Sequence, residues 1–151
     1  MNKNKIITIL KQAKPEHINL IKQAHSLMSN DIPKDKIHKP IACTDCLLGK
    51  WHSDEGFKLV NIPQLAEVET LHREIHNLYT ALYYTTYDRR QKARATIISD
   101  GIEIPIEEKQ FRDKKLKLLE KKTVKLIQSL NHIEKKVGAM SEQYFSSPWL
   151  T

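Results

Sequence analysis

Three histidines and one cysteine are the residues whose types and spacing suit chemistry in this chain. His72 and His76, in His72-Arg73-Glu74-Ile75-His76, stand four positions apart. On a helix that spacing puts both imidazoles on one face, about one turn apart, where they can reach a single ion. Upstream lie an isolated His17 and Cys46, the latter opening the block Cys46-Leu47-Leu48-Gly49-Lys50-Trp51. Neutral imidazole and thiolate suit zinc, which prefers four such ligands in a tetrahedron. A single histidine beside an apolar stripe is commonly a satisfied core residue. The combination is what argues for ligation by His17, Cys46, His72 and His76. An iron reading needs Glu-x-x-His pairs; Glu69 precedes His72 at that spacing, but no second pair matches it and Cys46 fits poorly.

The order and spacing of these residues resemble the chemoreceptor zinc-binding domain, a bacterial sensory module. That family is marked by a histidine near the start of its first helix, a Cys-x-Leu-Gly-x-Trp block and a His-x-x-x-His helix. Here these are His17, Cys46 to Trp51, and His72 with His76, and the resemblance covers residues 14–90, about half the chain. One departure is local: the family often has a tryptophan after its first histidine, where this chain reads His17-Ile18-Asn19-Leu20. The resemblance implies a three-histidine, one-cysteine Zn2+ site, a dimer, and a sensory or regulatory role in bacterial signalling of the chemotaxis or cyclic-dinucleotide type. No output region of either type is visible in the sequence, so a stand-alone form that acts through a signalling partner, or that only binds metal, is expected; the alternative is a structural zinc in a helical adaptor whose hairpin binds another protein. Four protein ligands leave no open metal position, which argues against an enzyme.

These side chains must be positioned by helices. Residues 2–12 read as a short apolar-faced helix, and Pro15 suits the first position of the next one. There His17, Leu20, Ile21, Ala24, Leu27 and Met28 share one stripe at helical spacing. His25 lies on a neighbouring face two turns later; as the ligand in place of His17 it would move the zinc about 12 Å along the bundle, and the spacing of the resembling family favours His17. Asn30 to Pro40, with two prolines, reads as a connector, and Ile41 to Trp51 as a short helix carrying Cys46 inward. In that block Gly49 permits close approach of another backbone, and Trp51 brings a large apolar body to cover the metal. His52 to Ile62 reads as a loop, and Pro63 as the start of the longest helix, striped by Leu65, Val68, Leu71, Ile75, Leu78 and Leu82. Ser99-Asp100-Gly101 breaks it. The final helix, 106–141, carries a coiled-coil-like seam of Leu116, Leu119, Thr123, Leu126, Leu130, Ile133, Val137 and Met140. The expected fold is therefore all-α: an antiparallel helical bundle of four-helix type with an extended C-terminal helical hairpin. The seam offers more apolar surface than one short helix covers, which predicts a homodimer. The tail from Tyr144 is expected to fray unless its aromatics dock.

A length of 151 residues with 40% hydrophobic residues suits one domain, 1–151, with a real core. The net charge of +7 is uneven: residues 1–88 hold 11 Lys/Arg against 10 Asp/Glu, and residues 89–151 hold 14 against 8. A basic half can meet nucleic acid, but Phe111 is the only aromatic between Arg89 and Ser141, so the bases have nothing to stack on and no nucleic-acid partner is expected. No apolar run approaches the roughly 20 residues of a membrane span. The apolar part of Met1 to Leu10 is too short for a signal peptide, which places the chain in the cytoplasm. Cys43 and Cys46 form Cys-x-x-Cys, the spacing of a redox dithiol or half a zinc site; Cys46 takes the metal role and Cys43 is its neighbour.

Overall fold

The computed structural model describes residues 2–29, 38–95 and 106–146, with only the backbone of 87–95. Its elements are α1 (Lys3–Met28), a 3-10 turn (Cys43–Asp45), α2 (Leu47–Asp54), a second 3-10 turn (Gly56–Lys58), α3 (Gln64–Ala95), α4 (Ile106–Ala139) and α5 (Glu142–Phe145). The fold is all-α, a bundle of helices packed on one another, with no strand among the described residues. Cross-helix polar contacts set the directions. Lys3 Nζ donates to the Met140 carbonyl, Lys14 pairs with Glu134, and His25 Nε2 lies 2.7 Å from Glu120 Oε1, so α1 runs antiparallel to α4. Gln64 accepts from Lys136, and Glu74 pairs with Lys122, so α3 is antiparallel to α4 as well. α1 and α3 therefore run side by side in one direction, with His17 facing His72 and His76.

α1 corrects the expectation of a break before Pro15. It is one helix of 26 residues with Pro15 inside it, started by Asn2, whose side chain accepts from the Asn4 and Lys5 amides. An interior proline costs about 3 kcal/mol. Against this, Ile6, Leu10 and Ala13 before it and Ala24 after it are fully buried. Each large apolar side chain so buried contributes about 1.5–3 kcal/mol, so the packing of both halves on α4 outweighs the proline. Pro15 itself is exposed, where water can take the carbonyl it leaves unbonded.

The α3 stripe is buried as expected: Leu65, Val68, Leu71, Ile75, Leu78 and Leu82, joined by Tyr79. Within the described residues α3 spans 32 residues and α4 spans 34. Leu119, Leu126, Leu130, Ile133 and Val137 of the seam are fully buried, and Thr123 is buried with its hydroxyl on the Leu119 carbonyl. α1 and α3 both pack on α4 and cover it. The middle of the seam is thus covered within one chain, while Leu116 and Met140 at its ends are half-buried. The loop reading of 52–62 is also corrected, since α2 runs to Asp54 and a 3-10 turn follows. The C-terminal aromatics dock: Phe145 is buried and Tyr144 donates to Asn61 Oδ1 at 2.6 Å. The break at Ser99-Asp100-Gly101 lies outside the described residues.

Candidate metal centre

Three separate elements deliver the four candidate side chains to one point. His17 comes from the middle of α1, Cys46 from the residue preceding α2, and His72 and His76 from successive turns of α3. One ligand atom from each lies within 4.8 Å of every other. The three imidazole rings meet edge to face, with centroids 4.7 to 5.5 Å apart, and Cys46 Sγ stands 3.0 Å from His72 Nε2. His17, His72 and His76 are buried, Cys46 half-buried. A tetrahedral site with bonds of about 2.0–2.3 Å has edges of about 3.5 Å, so a small contraction of this cluster encloses an ion. The group can hold a metal ion.

The hydrogen bonds show which nitrogens face inward. His17 Nδ1 is 2.7 Å from the Ala13 carbonyl and His76 Nδ1 is 3.1 Å from the Ile41 carbonyl. A carbonyl only accepts, so both Nδ1 atoms carry the proton and both Nε2 atoms present a lone pair. Those two Nε2 atoms are buried without a partner. A buried acceptor left unpaired costs about 1–3 kcal/mol, and a cation among them removes that cost. The pattern is that of metal-ligating histidines, whose far ring nitrogen is held by a carbonyl. Ala13 and Ile41 contribute through their backbones, so no side-chain motif could have announced them.

Burial keeps the imidazoles neutral. His17 is pushed down to about 4, first by desolvation, opposed by the Ala13 carbonyl and helped by the nearby His76. His72 is pushed down to about 3 by desolvation, then by the charges of His17, His76 and His52. His76 is lowered for the same leading reason, against the Ile41 carbonyl. Burial pushes the Cys46 thiol up, the Gly49 and Leu48 amides oppose this, and the Glu16 carboxylate and Cys43 reinforce it. A bound cation reverses that balance and draws off the thiol proton.

Gly49 is what lets Cys46 reach the cluster. A Cβ there would fall 1.8 Å from the Cys43 carbonyl oxygen and 2.9 Å from Thr44 Cα, so the 3-10 turn lies directly on this glycine. The obstructing atoms are backbone and cannot swing aside. Gly49→Ala is therefore expected to destabilise the fold by about 3 kcal/mol or more and to weaken metal binding by displacing Cys46. Gly138→Ala on α4 meets nothing within 4 Å and should stabilise by about 0.5–1 kcal/mol. Urea melts of both variants check the contrast.

Trp51 is buried with its ring edge over Gly56, whose own Cβ would come 3.0 Å from it. His25 is exposed on Glu120, away from the cluster. His38 is exposed, and its carbonyl accepts from the Tyr79 hydroxyl at 2.6 Å. Cys43 is half-buried and outside the four-atom group. Among the described residues no helix is long and apolar enough to cross a membrane. No family model, no curated protein and no solved structure matches this chain.

Proposed function

We propose that this chain is a non-catalytic, zinc-binding regulatory module of the chemoreceptor zinc-binding type, held in the cytoplasm and acting through a signalling protein. The observation that carries the reading is the pair of buried, inward-facing Nε2 lone pairs of His17 and His76, set beside His72 and Cys46. Three nitrogens and one sulfur are a donor set that favours zinc over the hard cations. Four protein donors fill a tetrahedron and leave no position for substrate or activated water. Because the donors come from α1, the start of α2 and α3, zinc occupancy and the packing of these elements are one equilibrium. That linkage is how availability of the metal becomes a change a partner can read. The order of His17, the Cys46–Trp51 block and the His72/His76 helix supports the family assignment. A homodimer belongs to the proposal too, formed through surface other than the covered middle of the α4 seam.

Titration of zinc into metal-stripped protein, followed by circular dichroism and light scattering together, tests this reading. Expected are one zinc per chain, retention of most helicity in the stripped state, and a mass of twice 17.6 kDa in at least one of the two states. Helicity lost in step with zinc makes the metal purely structural, and a constant mass of 17.6 kDa removes the dimer. Failure to bind zinc ends the proposal.

A further inference from the structure

Beside the metal centre lies a cavity of about 110 Å3 whose wall includes His72, Trp51, His52, Glu69 and Arg73. Its volume is that of a few water molecules, each occupying about 30 Å3 in the liquid. Trp51, whose Nε1 is buried with no protein partner, is one of its lining residues. His72 belongs both to the cavity wall and to the ligand cluster. At the solvent side stand Glu69 and Arg73, 52% and 55% exposed and 3.4 Å apart. His52 Nε2 lies 4.0 Å from Glu69 Oε2 and its side chain is only 22% exposed, between mouth and interior.

We infer that this cavity is the route by which divalent metal reaches and leaves the cluster, with Glu69 and His52 as a transient capture pair and Arg73 as an electrostatic brake. The inference rests on the metal-binding reading of the cluster. A carboxylate at the mouth and an imidazole behind it offer oxygen and then nitrogen to a cation shedding water. His72 completes the sequence of donors, since it alone faces both spaces. Arg73 opposes a cation at the same mouth, and its pairing with Glu69 must open when Glu69 takes the metal. None of the three is a member of the final four-atom group, so they govern rate more than affinity.

Route and plain electrostatics predict opposite signs, which makes the idea testable. If Glu69 only lent negative potential, its loss would weaken binding and speed release. If Glu69 is a step on the path, its loss slows release as well as uptake, leaving affinity nearly unchanged. The experiment loads the full chain with one zinc isotope, adds a second in excess, and measures the exchange rate by mass spectrometry. Affinity is measured separately by chelator competition. Glu69→Gln and His52→Ala are each expected to slow exchange about threefold or more, and Arg73→Gln to speed it about two- to threefold, as charge changes near a focused opening do. The control is Glu107→Gln on α4, about 22 Å along the helix from Lys122, which marks the level of Glu74; its exchange rate should not change. Faster exchange with weaker binding in Glu69→Gln, or an equal effect of Glu107→Gln, overturns the route. A chain that retains no zinc at all overturns the metal-binding reading instead, so the two failures are distinct.

Discussion

Alanine at His72 or His76 is expected to cut zinc affinity by about 100- to 1000-fold while leaving the helical bundle folded. A four-ligand structural zinc site is worth about 10–16 kcal/mol, hence about 3 kcal/mol or more per ligand, and 1.4 kcal/mol is tenfold in affinity. Both side chains are buried on α3 beside the Leu71 and Ile75 stripe, which stays packed when either ring is removed. His17→Ala and Cys46→Ala should fall in the same range. His25→Ala should bind zinc as the parent does, because that ring lies on Glu120 at the surface. Metal content after dialysis against a weak chelator separates these outcomes. Full zinc occupancy in both His72→Ala and His76→Ala would remove the cluster from consideration as a metal site.

The second large effect is on the metal-free chain in mild acid. His17, His72 and His76 all have folded-state values below the usual 6.5 because burial penalises their charged forms. As pH falls through about 6.5, the unfolded chain takes up protons that the folded chain refuses. Stability is therefore fully present above that pH and is lost progressively toward the folded values, about 4 for His17 and about 3 for His72. Each such histidine contributes a slope of at most about 1.4 kcal/mol per pH unit, or about 4 kcal/mol for the three together. Domains of this kind have about 5–15 kcal/mol in all, so the stripped protein should lose its packed state between pH 6 and 4. Cys46 acts in the other direction. Its folded value is raised, so above the normal thiol range stability falls as pH rises. Urea midpoints of stripped protein from pH 8 down to 4 measure the slope. A flat midpoint from pH 7 to 4.5 would mean that the imidazoles are not held neutral by burial. Zinc-loaded protein should resist until protons displace the metal, since ligation requires neutral rings.

Much of the site was legible because its features are local or periodic. The interval of four between His72 and His76 is a property of any helix, and the stripe from Leu65 to Leu82 establishes that helix by its period. Gly49 could be read as a point of close backbone approach because glycine alone lacks the Cβ that the Cys43 carbonyl would strike.

What the sequence by itself determined, then, is helix type, the buried face of each helix and the chemistry of the donors, all encoded in side chains within a few turns. The tertiary structure alone decided whether Pro15 would split α1, because that outcome weighs one local cost against apolar contacts with α4, more than a hundred residues away. It also decided that the middle of the α4 seam is covered inside the chain, since an apolar stripe specifies that it must be buried but not by what. The Ala13 and Ile41 carbonyls that aim two imidazoles inward left no trace in the sequence for a simpler reason: every residue carries a carbonyl, and only the fold selects which one meets a histidine.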